Sequence, residues 1–177
     1  MTLQLARLAF LASLTISIAG TIIALGGLAS IQSFCDEHNG IFAGIRTEYL
    51  AQAKLLYGNT SCGRLFRFEW WGWALQVTFL VITAICYATT NVHNYKSALW
   101  SLAATAVVLA MFQANDLVDL YEKTKDTLRT RGVVTFIGYC GFCAGDYLMF
   151  FTGNALYHYK RAEHQQQQQK LQGVTMA

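Results

Sequence analysis

The sequence predicts an all-α integral membrane protein, a four-helix bundle with a disulfide-tied first extracellular loop. Three observations carry that expectation. Hydrophobic residues make up 54 % of the 177-residue chain, charged residues only 13 %, and proline is absent; a water-soluble domain carries roughly 25 % charged residues. Four stretches are apolar over the about 20 residues needed to cross a hydrocarbon core of roughly 30 Å. Finally, Cys35 and Cys62 both lie in the largest loop, between the first two of these stretches.

Taken in chain order, the first span covers about residues 8–34 and carries no charge. An apolar run of that length exceeds the roughly 7–15 residues of a signal-peptide core, so it reads as an uncleaved anchor. The large loop, 35–69, follows. Span two covers about 70–92, again uncharged, and the tight turn "TTNVHNYK" leads to span three at about 97–117. The charged segment "NDLVDLYEKTKDTLRTRG" joins it to span four, about 132–157, which is interrupted only by Asp146. Lipid offers the backbone no hydrogen bonds, so each span is expected to be helical. Residues 1–160 therefore form one membrane domain. The tail, 161–177, contains a run of five glutamines and reads compositionally as a disordered cytosolic segment.

Orientation rests on two opposed signals. Arg46, Lys54, Arg64, Arg67, Lys123, Lys125, Arg129 and Arg131 lie on the side of the large loop, against Arg7, Lys96, Lys160, Arg161 and Lys170 on the other. A bare basic count would put the large loop in the cytosol. However, that loop holds both extramembrane cysteines and the glycosylation acceptor pattern Asn59-Thr60-Ser61. Paired cysteines and a glycosylated asparagine belong to an oxidising exoplasmic compartment. The expectation is that both termini are cytosolic, in an integral protein of the plasma membrane. A Cys35–Cys62 bridge would then staple the loop above the first two helices. Arg64, Arg67 and Glu69 flank Trp70, Trp71 and Trp73, an arrangement suited to the headgroup layer; Lys160 and Arg161 would anchor the opposite end.

Span four holds the residues that invite a functional interpretation. Gly138, Gly141 and Gly145 form a small-residue stripe, as do Gly20, Ala24 and Gly27 on span one. Such stripes let helix backbones approach closely, either within one chain or between two copies. Cys140 and Cys143 then serve as small apolar residues. Asp146 needs more, because a charged side chain at mid-bilayer costs about 2.5–3.5 kcal/mol even on insertion scales. Thr15, Thr21, Gln76 and Thr83 are its expected hydrogen-bond partners, and an ion or proton role is the alternative. Asp116, Asp119 and Glu122 end span three on one face; a divalent-ion site there is conceivable, a solvated helix end the plainer account. His93, His158 and His164 are dispersed and suggest no metal.

The cysteine pattern, a loop pair plus Cys140-Gly141-Phe142-Cys143 in the fourth span, resembles the vitamin K epoxide reductase family. In that fold a loop pair passes electrons to a C-x-x-C pair, with a tyrosine nearby that Tyr147 would match. The resemblance implies a thiol oxidoreductase using Cys35, Cys62, Cys140 and Cys143, although the 27-residue separation of the loop pair departs from it. At the level of topology, four spans with a disulfide-tied first loop are similar to the claudin, MARVEL and related tetraspan families. That similarity implies a non-enzymatic protein organising a membrane or cell junction. A channel, transporter or accessory subunit using Asp146 is the third possibility. The net charge of +3 gives no footing for nucleic acid. No phosphate-binding, dinucleotide-binding or zinc-protease motif is present, so no cofactor is expected. The partners implied are the lipid bilayer and a second copy or another membrane protein.

Overall fold

The structure, a computed structural model, describes residues 3–38, 44–49, 62–89 and 96–175. Asn59, Lys54 and His93 lie outside the described residues, as do the side chains of Lys160, Arg161 and His164. Among the described residues five α-helices follow in order, with one 3-10 turn at Thr47–Tyr49 between the first two: α1 (Leu3–Glu37), the short α2 (Cys62–Leu65), α3 (Arg67–Ala88), α4 (Lys96–Lys123) and α5 (Asp126–Thr175). Four of them are long and apolar enough to cross a membrane, over Leu3–Glu37, Arg67–Ala88, Ser97–Asp119 and Asp126–Tyr159. Each therefore extends to or beyond the apolar core read from sequence, except that α3 ends before Val92.

The long helices pack in a closed ring, α1 against α3, α3 against α4, α4 against α5 and α5 back against α1, with the α1–α5 interface the most extensive. All neighbours in this ring are antiparallel. Buried positions recur at alternating steps of three and four residues. In α1 this series is Ala6, Phe10, Ser13, Ser17, Gly20, Ala24, Gly27, Ile31 and Phe34, with Thr21, Leu28 and Cys35 buried beside it. In α3 they are Gly72, Gln76, Phe79, Thr83 and Cys86; in α4, Ala103, Ala106, Ala110, Gln113 and Leu117; in α5, Thr135, Tyr139, Phe142, Asp146 and Met149. A repeat of 3.5 residues is the seam of left-handed helix packing. Ile22, Ile85, Phe112 and Phe151 point outward instead, which is stable only when the surroundings are as apolar as the side chains.

The α1–α5 seam is made by small residues. A methyl group added at Gly145 would lie 2.7 Å from Ser17 Cα, and one added at Gly138 would lie 2.7 Å from Ala24 Cα. Gly20 meets the backbone of Gly138 and Gly141 at 2.9 and 2.8 Å in the same sense, and Gly27 meets Thr135. The two glycine stripes thus face each other within one chain.

At the loop end, Cys35 and Cys62 are joined by a disulfide with Cα atoms 6.0 Å apart. The returning segment 44–49 pairs with the α4–α5 connection through a single antiparallel bridge between Ile45 and Thr124. Arg46 N–H donates to the Lys123 carbonyl and Lys125 N–H to the Gly44 carbonyl, both at 2.9 Å. The chain then enters α5 through Asp126, which has φ 51°, a left-handed conformation that aspartate tolerates better than most residues. Arg131 braces this end, donating to the Ser30 carbonyl at 2.5 Å with its guanidinium 5.5 Å from the Phe34 ring centroid.

The expectation of a disordered tail differs from the backbone observed. α5 runs on through the glutamine run to Thr175. Lys, Arg, Ala, Glu and Gln are all favourable helix formers, and no glycine interrupts the segment before Gly173, so the helix has no local reason to stop at the membrane surface.

Candidate functional site

The bundle interior is polar where a membrane core would ordinarily be apolar. On α3, Glu69, Gln76 and Thr83 recur every seventh residue, so the seam that turns inward carries one oxygen-bearing side chain per two turns. Asp146 arrives at the level of Gln76 from α5, and Ser17 from α1. Ser17 Oγ donates to Asp146 Oδ1 at 2.6 Å. Gln76 Nε2 reaches the same carboxylate oxygen at 3.1 Å and Ser17 Oγ at 3.0 Å. Three helices thereby converge on one carboxyl oxygen, and all three side chains are essentially fully buried.

Of the partners expected for Asp146, Gln76 hydrogen-bonds to it, whereas Thr15, Thr21 and Thr83 do not. Thr15 faces outward and bonds to the Leu11 carbonyl. Thr21 donates to the Ser17 carbonyl at 2.8 Å. Ser17 was not among the expected partners. The signal that would have found it is the Gly20–Ala24–Gly27 stripe extended by one three-residue step.

The second carboxyl oxygen, Asp146 Oδ2, has no hydrogen-bond partner among the described residues, and neither have Gln76 Oε1 and Thr83 Oγ1. Asp146 and Thr83 both line a cavity of about 50 Å³ on the termini side of the clasp. Its wall is otherwise apolar and largely aromatic: Phe10 from α1, Phe79 from α3, Trp100 from α4, and Phe150 and Tyr157 from α5, with Leu99, Ala103, Met149 and Gly153 filling between them. Trp100 and Phe150 meet edge to face with centroids 4.0 Å apart. Toward the loop side the interior is closed by a tight cluster that includes Leu28, Ile31, Tyr139 and Phe142, each no more than 1 % exposed. Above Gln76, the Gln113 side chain sits against Gly72 and donates to the Phe68 carbonyl at 2.9 Å, tying α4 to α3.

The remaining sequence candidates are separated from this centre. Cys140 and Cys143 are free thiols, the first exposed on the outer face of α5 and the second half-buried. Gly138 and Gly145 pack on Ala24 and Ser17, so the C-x-x-C pair lies about thirteen to sixteen residues below Cys35 in the α1 register, or roughly 20–24 Å along the helix axis. Thiol–disulfide exchange needs sulfur-to-sulfur contact, which this arrangement does not provide. Asp119 forms a 2.6 Å ion pair with Lys123, Asp116 and Glu122 are exposed, and no metal-ligand cluster occurs among the described residues. The three tryptophans divide: Trp71 is 71 % exposed, whereas Trp70 Nε1 donates to Gln32 Oε1 at 2.6 Å and Trp73 Nε1 to the Thr21 carbonyl at 3.1 Å. Trp70 and Trp73 thus tie α3 to α1.

No family model and no curated protein sequence matches the chain. Among solved structures it is similar to the crystal structure of the Chlamydomonas reinhardtii LCI1 channel, with TM-score 0.68 and 17 % identity, covering 86 % of this chain and 97 % of that one. At that identity the likeness concerns the fold. The four-span topology is compatible with the claudin and MARVEL resemblance, and the structural match is to a channel.

Proposed function

We propose that the protein is a membrane channel in which a small solute passes along the bundle interior and Asp146 is the polar midpoint of the path. The observation that carries this reading is the Asp146 carboxyl, 2 % exposed at the centre of four apolar helices, with one oxygen clasped by Ser17 and Gln76 and the other without a partner among the described residues, in a side chain that lines a cavity. A carboxyl at this depth is costly, and a purely structural clamp needs only the clasped oxygen. The fold match to a channel supports the same reading. The packed layer of Leu28, Ile31, Tyr139 and Phe142 would be the closed gate on the loop side.

The Cys35–Cys62 disulfide supports assigning the large loop to the exoplasmic face and both termini to the cytosol. An assembly-organising role has less to work with, because the glycine stripes that could have joined two copies are occupied between α1 and α5. A thiol oxidoreductase lacks a sulfur route from the loop to Cys140 and Cys143.

The test is reconstitution of the full chain in liposomes, with flux of protons, monovalent ions and small neutral solutes followed beside protein-free vesicles. Flux by the wild type that Asp146→Asn abolishes supports the proposal. Correctly folded protein that moves none of these solutes overturns it.

A further inference from the structure

We propose that the cavity beside Asp146 binds a small protonated amine, ammonium or methylammonium, with Asp146 as counter-charge and aromatic rings as walls. This rests on the channel reading and specifies the solute it would carry. No Lys or Arg occurs between Leu8 and Phe34, Trp70 and Ala88, Ser97 and Asn115, or Gly132 and Tyr157, so no side chain at the depth of Asp146 neutralises it. A buried carboxylate without a counter-charge is strongly disfavoured; a cation arriving from outside would supply the charge that the described side chains do not.

The surroundings then select the kind of cation. Asp146 Oδ2 and Thr83 Oγ1, both buried and without a partner among the described residues, belong to side chains on the same cavity wall and offer acceptors for N–H donors. Phe10, Phe79, Trp100 and Phe150 bring aromatic rings to the same wall. Aromatic faces attract ammonium-type cations, whereas a metal cation such as sodium would need several oxygen ligands that this wall lacks. Size agrees with a small guest: about 50 Å³ exceeds the roughly 10–15 Å³ that one water needs and leaves room for only a few heavy atoms. An anion would face the carboxylate and is excluded by it.

Methylammonium binding to the purified full-length protein in nanodiscs is the direct test, measured with radiolabelled methylammonium and parallel flux in liposomes. The expected result is saturable binding that ammonium displaces and equimolar sodium does not. Asp146→Asn should weaken it at least tenfold, and Trp100→Leu several-fold. Thr83→Val, which is nearly isosteric, reports on the same wall if Asp146→Asn fails to fold, and is expected to weaken binding two- to fivefold. No saturable binding by the folded wild type, or binding indifferent to these substitutions, overturns the proposal. Flux of other solutes without methylammonium binding would sink this site and leave the channel standing; binding without any flux would do the reverse.

Discussion

Ser17 on α1 and Asp146 on α5, 129 positions apart in sequence, share a 2.6 Å hydrogen bond in the middle of the bundle. Interhelical hydrogen bonds in membranes contribute about 0.6–1.7 kcal/mol. Ser17→Ala should therefore lower stability by about 1 kcal/mol, since Gln76 still reaches the same oxygen. Asp146→Leu should cost more, because it removes the acceptor of Ser17 and one of the two acceptors of Gln76. Thermal unfolding in detergent, followed by circular dichroism, will rank the two; a larger loss for Ser17→Ala than for Asp146→Leu would contradict the clasp.

Close approach at the α1–α5 seam predicts sharply position-dependent substitution effects. Gly145→Val and Gly138→Val place carbon atoms where Ser17 and Ala24 already stand, and should lower stability by about 1–3 kcal/mol or more. Gly26, with nothing within 4 Å of an added Cβ, should accept the same change with little effect. Detergent melting temperatures and yields of folded protein give the comparison.

Removing the loop-end bridge with Cys35→Ser/Cys62→Ser should cost about 3–4 kcal/mol on a chain-entropy view of a 27-residue closure. Non-reducing mass spectrometry of the wild type should find Cys35 linked to Cys62, and Cys86, Cys140 and Cys143 alkylatable after unfolding. A Cys140–Cys143 bridge in protein from its native membrane would count against the assignment of these two as free thiols.

Asp126 holds φ at 51° where α4 passes into α5. Asp126→Asn should be nearly neutral, since asparagine adopts this conformation readily. Asp126→Val should lose about 1–2 kcal/mol, because a β-branched side chain is strained there. Equal melting temperatures for the two variants would show that the turn relaxes without cost.

Much of the architecture was open to sequence reasoning because the spans depend on a bulk property. Uncharged runs such as 8–34 and 70–92 follow from the length of hydrocarbon to be crossed. The inward face of each helix was harder to see. In water the buried stripe is the apolar one; here Ser17, Gln76, Thr83 and Asp146 turn inward while Ile22, Ile85 and Phe112 face out. Hydrophobicity therefore separates protein from water without separating interior from lipid. Spacing carries the missing information, since Glu69, Gln76 and Thr83 recur at sevens and the small residues of α1 at threes and fours. The tie from Trp73 to Thr21 and the bridge of Ile45 to Thr124 depend on three-dimensional neighbours that no local pattern announces. For the tail, composition suggested disorder, yet the same residues are good helix formers continuing a helix already nucleated in the membrane.

The mooring of segment 44–49 to the α4–α5 connection makes the two ends of the bundle mechanically unequal. One rim is cross-braced, covalently at Cys35 and by paired backbone at Lys123 and Lys125. The other rim, where Phe10, Trp100 and Tyr157 surround the aromatic chamber, carries neither a disulfide nor a backbone bridge among the described residues. Breathing motions of the four long rods should grow in amplitude away from the braced rim, so a guest would enter or leave by that freer rim first.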